Sequence, residues 1–173
     1  MARTTRETLV TTTAHQLQHR GYHGTALGDV LAAGGAPRGS LYFHFPGGKD
    51  ELVAEATRDG IDAVSETLRD SLDGAASPGR AVGRLLEETA ATLVSNDYRF
   101  GSPTAPLVLD GLDGRSEIGK LTGEAYRTWI GIFETALLAA GVPARRAQPL
   151  ATVIEAAFEG LLIVCRATRD VTP

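Results

Sequence analysis

A chain of 173 residues, 43% hydrophobic and 22% charged, has an ordinary globular composition, with room for one compact body and a small appended domain. Its net charge of −4 argues against a protein that coats nucleic acid indiscriminately, and the single cysteine, Cys165, excludes an intramolecular disulfide framework. No apolar run reaches the ~18 residues of a membrane span and no signal peptide opens the chain, so a cytoplasmic protein with no membrane partner is expected.

Periodicity predicts only helices. The first runs from Arg6 to Arg20, with Val10, Ala14 and Leu17 on one face and Gly21 ending it. Thr25 is the expected N-cap of a second helix carrying Leu27, Val30 and Leu31 inward. Gly34-Gly35 supplies a turn, and Pro37 suits the first position of a third helix, where its missing N–H is no loss. That helix carries Arg38, Gly39, Ser40, Tyr42 and His44, with Leu41 and Phe45 four apart as inward anchors. Two short helices across a glycine turn form the DNA-reading helix-turn-helix, whose second helix enters the major groove. A glycine in so short a helix costs about 1 kcal/mol against alanine, which points to a packing or close-approach reason at Gly39.

Past Pro46-Gly47-Gly48 a long helix is expected from Lys49 to Leu72, with Leu52 or Val53, Ala56, Val64, Leu68 and Leu72 inward. A loop at 73–77 ends in Ser77-Pro78, which opens a helix to about Asn96. A short helix near Thr104–Asp110 and a long one over Arg115–Ala140, stopped by Gly141, come next. Pro143 opens the final segment, which Pro149 kinks or divides before Leu150–Thr168. The last helix is apolar nearly all round, which means burial on every side. In so short a chain that implies a second subunit, with the central helix of a monomeric bundle as the alternative. The fold class is all-α: an N-terminal three-helix helix-turn-helix domain (1–47) before a helical-bundle ligand-binding and dimerisation domain (48–173).

The stretch from Thr25 to Leu52 resembles the TetR family of one-component repressors. The family pattern is a helix, an Ala-Gly turn, Ser/Thr-x-Gly-x-Leu-Tyr-x-His/Tyr-Phe, then Lys-Glu/Asp-x-Leu. Gly39, Leu41, Tyr42, His44, Phe45, Lys49, Asp50 and Leu52 match it. Gly34 stands where alanine is usual and Pro37 where a capping Ser or Thr is usual, so Pro37 offers no hydroxyl to a phosphate. The Phe-Pro-Gly-Gly-Lys variant is similar to a subfamily of efflux-gene repressors responsive to aromatic compounds. The resemblance implies a homodimer, built by the last two long helices, on a palindromic double-stranded DNA operator, released by a small molecule.

Residues up to 50 hold five basic groups (Arg3, Arg6, Arg20, Arg38, Lys49) against three acidic ones (Glu7, Asp29, Asp50), a net +2. The chain totals of 17 and 21 leave 12 basic and 18 acidic groups beyond, a net −6. A basic end on an acidic body suits DNA contact by that end alone. The expected base readers are Arg38, Gly39 and Ser40, and the expected phosphate contacts Thr25, Tyr42, His44 and Lys49. For Tyr42 the alternative is packing, and for His44 a helix cap. Arg3 and Arg6 add a flexible arm. The inducer is expected to be small, lipophilic or aromatic, because its candidate walls are nearly uncharged: Val64, Leu68, Leu86, Thr89, Leu93, Leu107, Tyr126, Trp129, Phe133 and Phe158.

His15, His19 and His23 are spaced four apart, but Gly21 separates His23 from the helix and no cysteine or carboxylate pair completes a metal site. Glu155 and Glu159 lack a Glu-x-x-His partner, and no activated nucleophile or phosphate loop occurs. No enzyme, metal or cofactor is expected. The alternative function is a helical small-molecule-binding protein without operator binding.

Overall fold

The structure, a computed structural model, describes residues 4–73, 77–99 and 101–172, all of whose regular elements are α-helices. They are α1 (Thr5–Gly24), α2 (Leu27–Ala33), α3 (Arg38–His44), α4 (Lys49–Leu72), α5 (Pro78–Ser95), α6 (Ala105–Leu109), α7 (Glu117–Ala139) and α8 (Ala144–Thr168). The chain forms two compact units. One contains residues up to Ile61 together with Ser102–Gly123, and the other Asp62–Gly101 with Glu124 onward.

In the first unit α1 opens on a capping box. Thr4 Oγ1 accepts from the Glu7 N–H at 3.2 Å, and Glu7 Oε2 accepts from the Thr4 N–H at 2.8 Å. The helix starts at Thr5, one residue before the expected Arg6, because these caps satisfy its first orphan donors. Gly21 breaks it, at φ 69° and ψ −173°, a region only glycine occupies readily. A Cβ there would also stand 2.3 Å from Asp110 Oδ2. Residues beyond Gly21 form a separate short turn.

The expected Thr25 cap is not made. Ala26 is the N-cap of α2, without a side-chain bond, and Thr25 is buried with its hydroxyl donating to Gly21 O at 2.6 Å. The Thr25 N–H goes to Tyr22 O at 3.3 Å, and its hydroxyl serves the Gly21 carbonyl. Gly35 takes the left-handed turn conformation at φ 62°, while Gly34 stays right-handed. Pro37 stands one position earlier than expected, as the N-cap of α3. Leu41 and Phe45 point inward and join Leu9, Val10, Leu17, Val30, Leu31, Leu52 and Val53 in one core. Leu107 of α6 and Ile118 of α7 close it. Both Leu52 and Val53 are fully buried, so the alternative between them dissolves.

In the second unit Ser77 caps α5 as expected, accepting from the Arg80 N–H at 3.4 Å. Residues 74–76 of the expected preceding loop lie outside the described residues. Gly141 ends α7 at φ 84°. Of the two expected effects of Pro149, a kink or a division, division is absent: α8 is continuous from Ala144 to Thr168. The proline lies in the second turn, where it removes a single i to i−4 bond while the flanking bonds persist. The core here is built on Trp129 and Phe133 of α7, with Leu68, Ala81, Leu85, Leu93, Ala147 and Ala151.

The last helix has two faces of different burial. One stripe, Ala147, Ala151, Glu155 and Cys165, is buried. Another, Leu150, Val153, Ala157 and Val164, is exposed, with Gly160 half-buried among them. The expected burial on every side is therefore absent within one chain.

Candidate functional site

The helix-turn-helix presents one outward face. At 100° per residue, Arg38, Tyr42, Gly39 and Phe43 fall in sequence around an arc of about 140°, and all four are exposed. Gly39 has no packing role within the chain, since a Cβ there would meet nothing within 4 Å. Of the two reasons a helical glycine can have, close approach by something outside the chain remains. Phe43 was not singled out by the sequence. Its signal was present, as an apolar residue out of register with the Leu41–Phe45 anchors.

The other expected contacts are placed differently. Ser40 is half-buried and its hydroxyl donates to Pro37 O at 2.6 Å, within the first turn of α3. His44 is half-buried, its ring 5.0 Å from that of Phe43 and 6.5 Å from that of Phe45, edge-on to each. Thr25 is 1% exposed, so its hydroxyl faces the protein and not solvent. Lys49 Nζ donates to Tyr22 O at 2.7 Å and lies 4.1 Å from the centre of the Tyr22 ring. Burial holds the Lys49 ammonium below the usual lysine range, partly offset by Asp50 and Asp110. Tyr22 donates its hydroxyl to Asp50, and burial together with that bond pushes the phenol up to about 12. Lys49 thus clamps the end of α1 to the start of α4. Arg6 pairs with Glu55 and lies over the Phe45 ring at 5.2 Å, and Arg3 is outside the described residues.

His23 is likewise engaged. Its backbone N–H donates to Asp110 Oδ2 and its ring Nε2 lies 3.2 Å from Asp110 O. Among the described residues no three His, Cys, Asp or Glu side chains group as a metal site, and no helix is long and apolar enough to cross a membrane.

The second unit holds an apolar cavity of about 170 Å³ between α5 and α8. Of the expected inducer contacts, Leu86, Thr89, Leu93 and Phe158 line it, joined by Ala90, Leu161, Leu162, Cys165 and Val171. Periodicity could have found these additions, since Leu161, Leu162 and Cys165 continue the Phe158 face. Trp129 and Phe133 are core residues at 2% and 1% exposure. The Trp129 indole N–H donates to Ser65 Oγ at 3.0 Å and its ring meets Tyr126 edge-on at 5.5 Å. Leu68 is buried and Val64 half-buried on α4, and none of these five lines the cavity. Leu107 belongs to the core of the first unit, apart from the rest.

Comparison with known proteins bears on both units. Residues 9–56 match the family of bacterial regulatory proteins, tetR family, and residues 78–173 match the C-terminal domain of LmrA/YxaF-like transcriptional regulators. The HTH-type transcriptional regulator LmrA of Bacillus subtilis is 28% identical over 168 residues, covering 97% of this chain and 89% of that protein. An uncharacterized HTH-type transcriptional regulator of Mycobacterium tuberculosis is 32% identical, covering 97% of this chain and 87% of its own length. Among solved structures, a cysteine mutant of the TetR family regulator CifR, complexed with 26-base-pair operator DNA, is similar at TM-score 0.79 and 28% identity. That likeness spans 97% of this chain and 89% of CifR.

Proposed function

The chain belongs to the TetR family of bacterial regulatory proteins, and on that premise we propose that it is a cytoplasmic homodimeric repressor of efflux genes. It binds a palindromic operator and is released by a small lipophilic or aromatic molecule. It acts by binding and not by catalysis. The observation that carries the reading is the exposed face of α3, where Arg38 stands beside a glycine that nothing in the chain requires. Arg38 is the base reader, suited to a bidentate guanine contact, with Gly39 letting the backbone approach. Tyr42, 64% exposed, holds a phosphate. Ser40, His44 and Lys49 support the reader from within, and Lys49, at the N-terminus of α4, adds a charge that favours a nearby phosphate. The DNA-binding domain spans 1–47 and the ligand-binding and dimerisation domain 48–173.

The exposed stripe of α8 supports the dimer. Leu150, Val153, Ala157, Gly160 and Val164 follow the three-four spacing of a helix-packing seam, and the two valines are 62% and 44% exposed. Gly160 and Ala157 permit close approach. A symmetric pair of chains matches the two-fold symmetry of a palindrome, with half-sites roughly 34–36 Å apart.

The α5–α8 cavity supports the ligand site. Among the described residues its polar side chains are Thr89 and Cys165, so it favours a neutral apolar molecule. An apolar cavity of ~150 Å³ accepts benzene, so a one-ring compound fits. Helix α4 begins in the unit that holds the reader and ends in the unit that holds the cavity, and is the path of coupling. Ligand and operator then weaken each other by the same factor.

The test is fluorescence anisotropy with the duplex upstream of the gene and a scrambled duplex, over a salt series, with one-ring aromatic compounds titrated calorimetrically into the protein. Tighter, salt-dependent binding to the upstream duplex and its release by a compound that binds the protein are expected. Compound binding that is equal with and without DNA, and no preference between duplexes, would leave the small-molecule-binding alternative.

A further inference from the structure

Phe43 is 81% exposed, more than any other large hydrophobic side chain among the described residues. A single exposed apolar group is unremarkable on most surfaces. This one shares a face with Arg38, Gly39 and Tyr42, on the helix proposed above to enter the major groove. The ring is not free to swing without loss, since it stands edge-on to the His44 ring at 5.0 Å and 82°.

We propose that Phe43 determines operator specificity by packing its ring on the 5-methyl group of a thymine, so that each half-site carries an A·T pair at one fixed position. The proposal rests on the DNA-binding reading of α3. A phenyl ring has no donor for a phosphate, and its electron-rich face repels an anion, so it gains nothing from the backbone oxygens. The apolar feature that a base edge offers in the major groove is the thymine methyl, and apolar contact with it distinguishes A·T from the other pairs. Burying that methyl gains free energy only when the base is thymine. Arg38 reads guanine by hydrogen bonds, while Phe43, about 140° round the helix, reads thymine by exclusion of water.

The test is selection from a duplex library with a randomised core, using the full chain as wild type, Phe43→Ala and Phe43→Leu. Wild type should select thymine at one position of each half-site. Phe43→Ala should select the same operator with that position relaxed, and Phe43→Leu should retain part of the preference. Thermal melting should shift by no more than about 2–4 °C in either variant, because the ring is exposed and its contact in the chain is the edge-on one with His44. Replacing that thymine with uracil, which removes only the methyl, should weaken wild-type binding about fourfold per half-site. Phe43→Ala should bind both duplexes equally. Identical selection profiles for wild type and Phe43→Ala, or the same uracil effect in both, would overturn the role of Phe43 and leave operator binding intact. Failure of wild type to select any sequence would overturn the operator reading and this proposal together.

Discussion

At the scale of single residues, position 21 shows how narrowly a backbone can constrain a side chain. Gly21 combines a positive φ, an extended ψ and a carboxylate 2.3 Å from where a Cβ would stand. Asp110 could retreat only by giving up its bond from the His23 N–H at 3.2 Å. Gly21→Ala should therefore cost about 2 kcal/mol, lowering the melting temperature by roughly 4–8 °C. A calorimetric scan of the variant within 1 °C of wild type would contradict this. Glu155 is constrained electrostatically instead. Burial, reinforced by the nearby Glu159 charge, pushes its carboxyl up to about 7. Its folded pKa lies above the unfolded value of 4.5. The folded form therefore binds more protons between these values, and stability present below the lower one is lost as pH rises through the upper one. Glu155→Gln, which mimics the protonated acid, should match wild type at pH 4.5 and melt about 3–6 °C higher at pH 8. Parallel melting curves for the two proteins across that range would refute the shift.

At the scale of elements, the α1–α4 junction couples stability to DNA contact. Lys49 satisfies Tyr22 O and stacks on the Tyr22 ring, so it holds the start of α4 against the end of α1. Lys49→Ala should lower the melting temperature by roughly 2–4 °C, for a charge-assisted bond of about 1 kcal/mol or more. It should also weaken binding to every duplex and reduce the salt slope by about one unit. Stability lost with an unchanged salt slope would make Lys49 a structural clamp alone. Helix extents were legible from the sequence wherever a chemical stop was present. Gly48 before α4, Ser77-Pro78 before α5 and Gly141 after α7 each act within a turn of their own position, and each stands where expected. The Thr4-x-x-Glu7 box was equally local and equally readable. Thr25 was not, because which acceptor its hydroxyl reaches depends on the kink four residues earlier.

At the scale of the whole molecule, assembly is the outstanding consequence. A Cβ at Gly160 would meet nothing within 4 Å in the single chain. Gly160→Arg should therefore leave the folded protomer intact, judged by helical circular dichroism, while sedimentation shows monomer or aggregate and operator binding is lost. A Gly160→Arg protein that sediments as a dimer and binds DNA would place the interface elsewhere.

The amino-acid sequence by itself determined the all-helical class, the reader motif and its inward anchors, because 3.6-residue periodicity and glycine or proline stops are properties of neighbouring residues. Charge asymmetry and the family pattern were legible for the same reason. The tertiary structure alone decided which polar groups stay available. Thr25 has the chemistry of a phosphate ligand, yet its hydroxyl is buried against Gly21 O, while Lys49 gives one donor to a carbonyl 27 residues away and keeps its charge at the start of α4. It also separated core from cavity. Trp129, Phe133 and Leu107 carry the same apolar signature as Leu86, Leu93 and Phe158, but only the second set lines the α5–α8 cavity. Hydrophobicity drives a side chain out of water without specifying what it packs against, and that partner is set by residues distant in the chain.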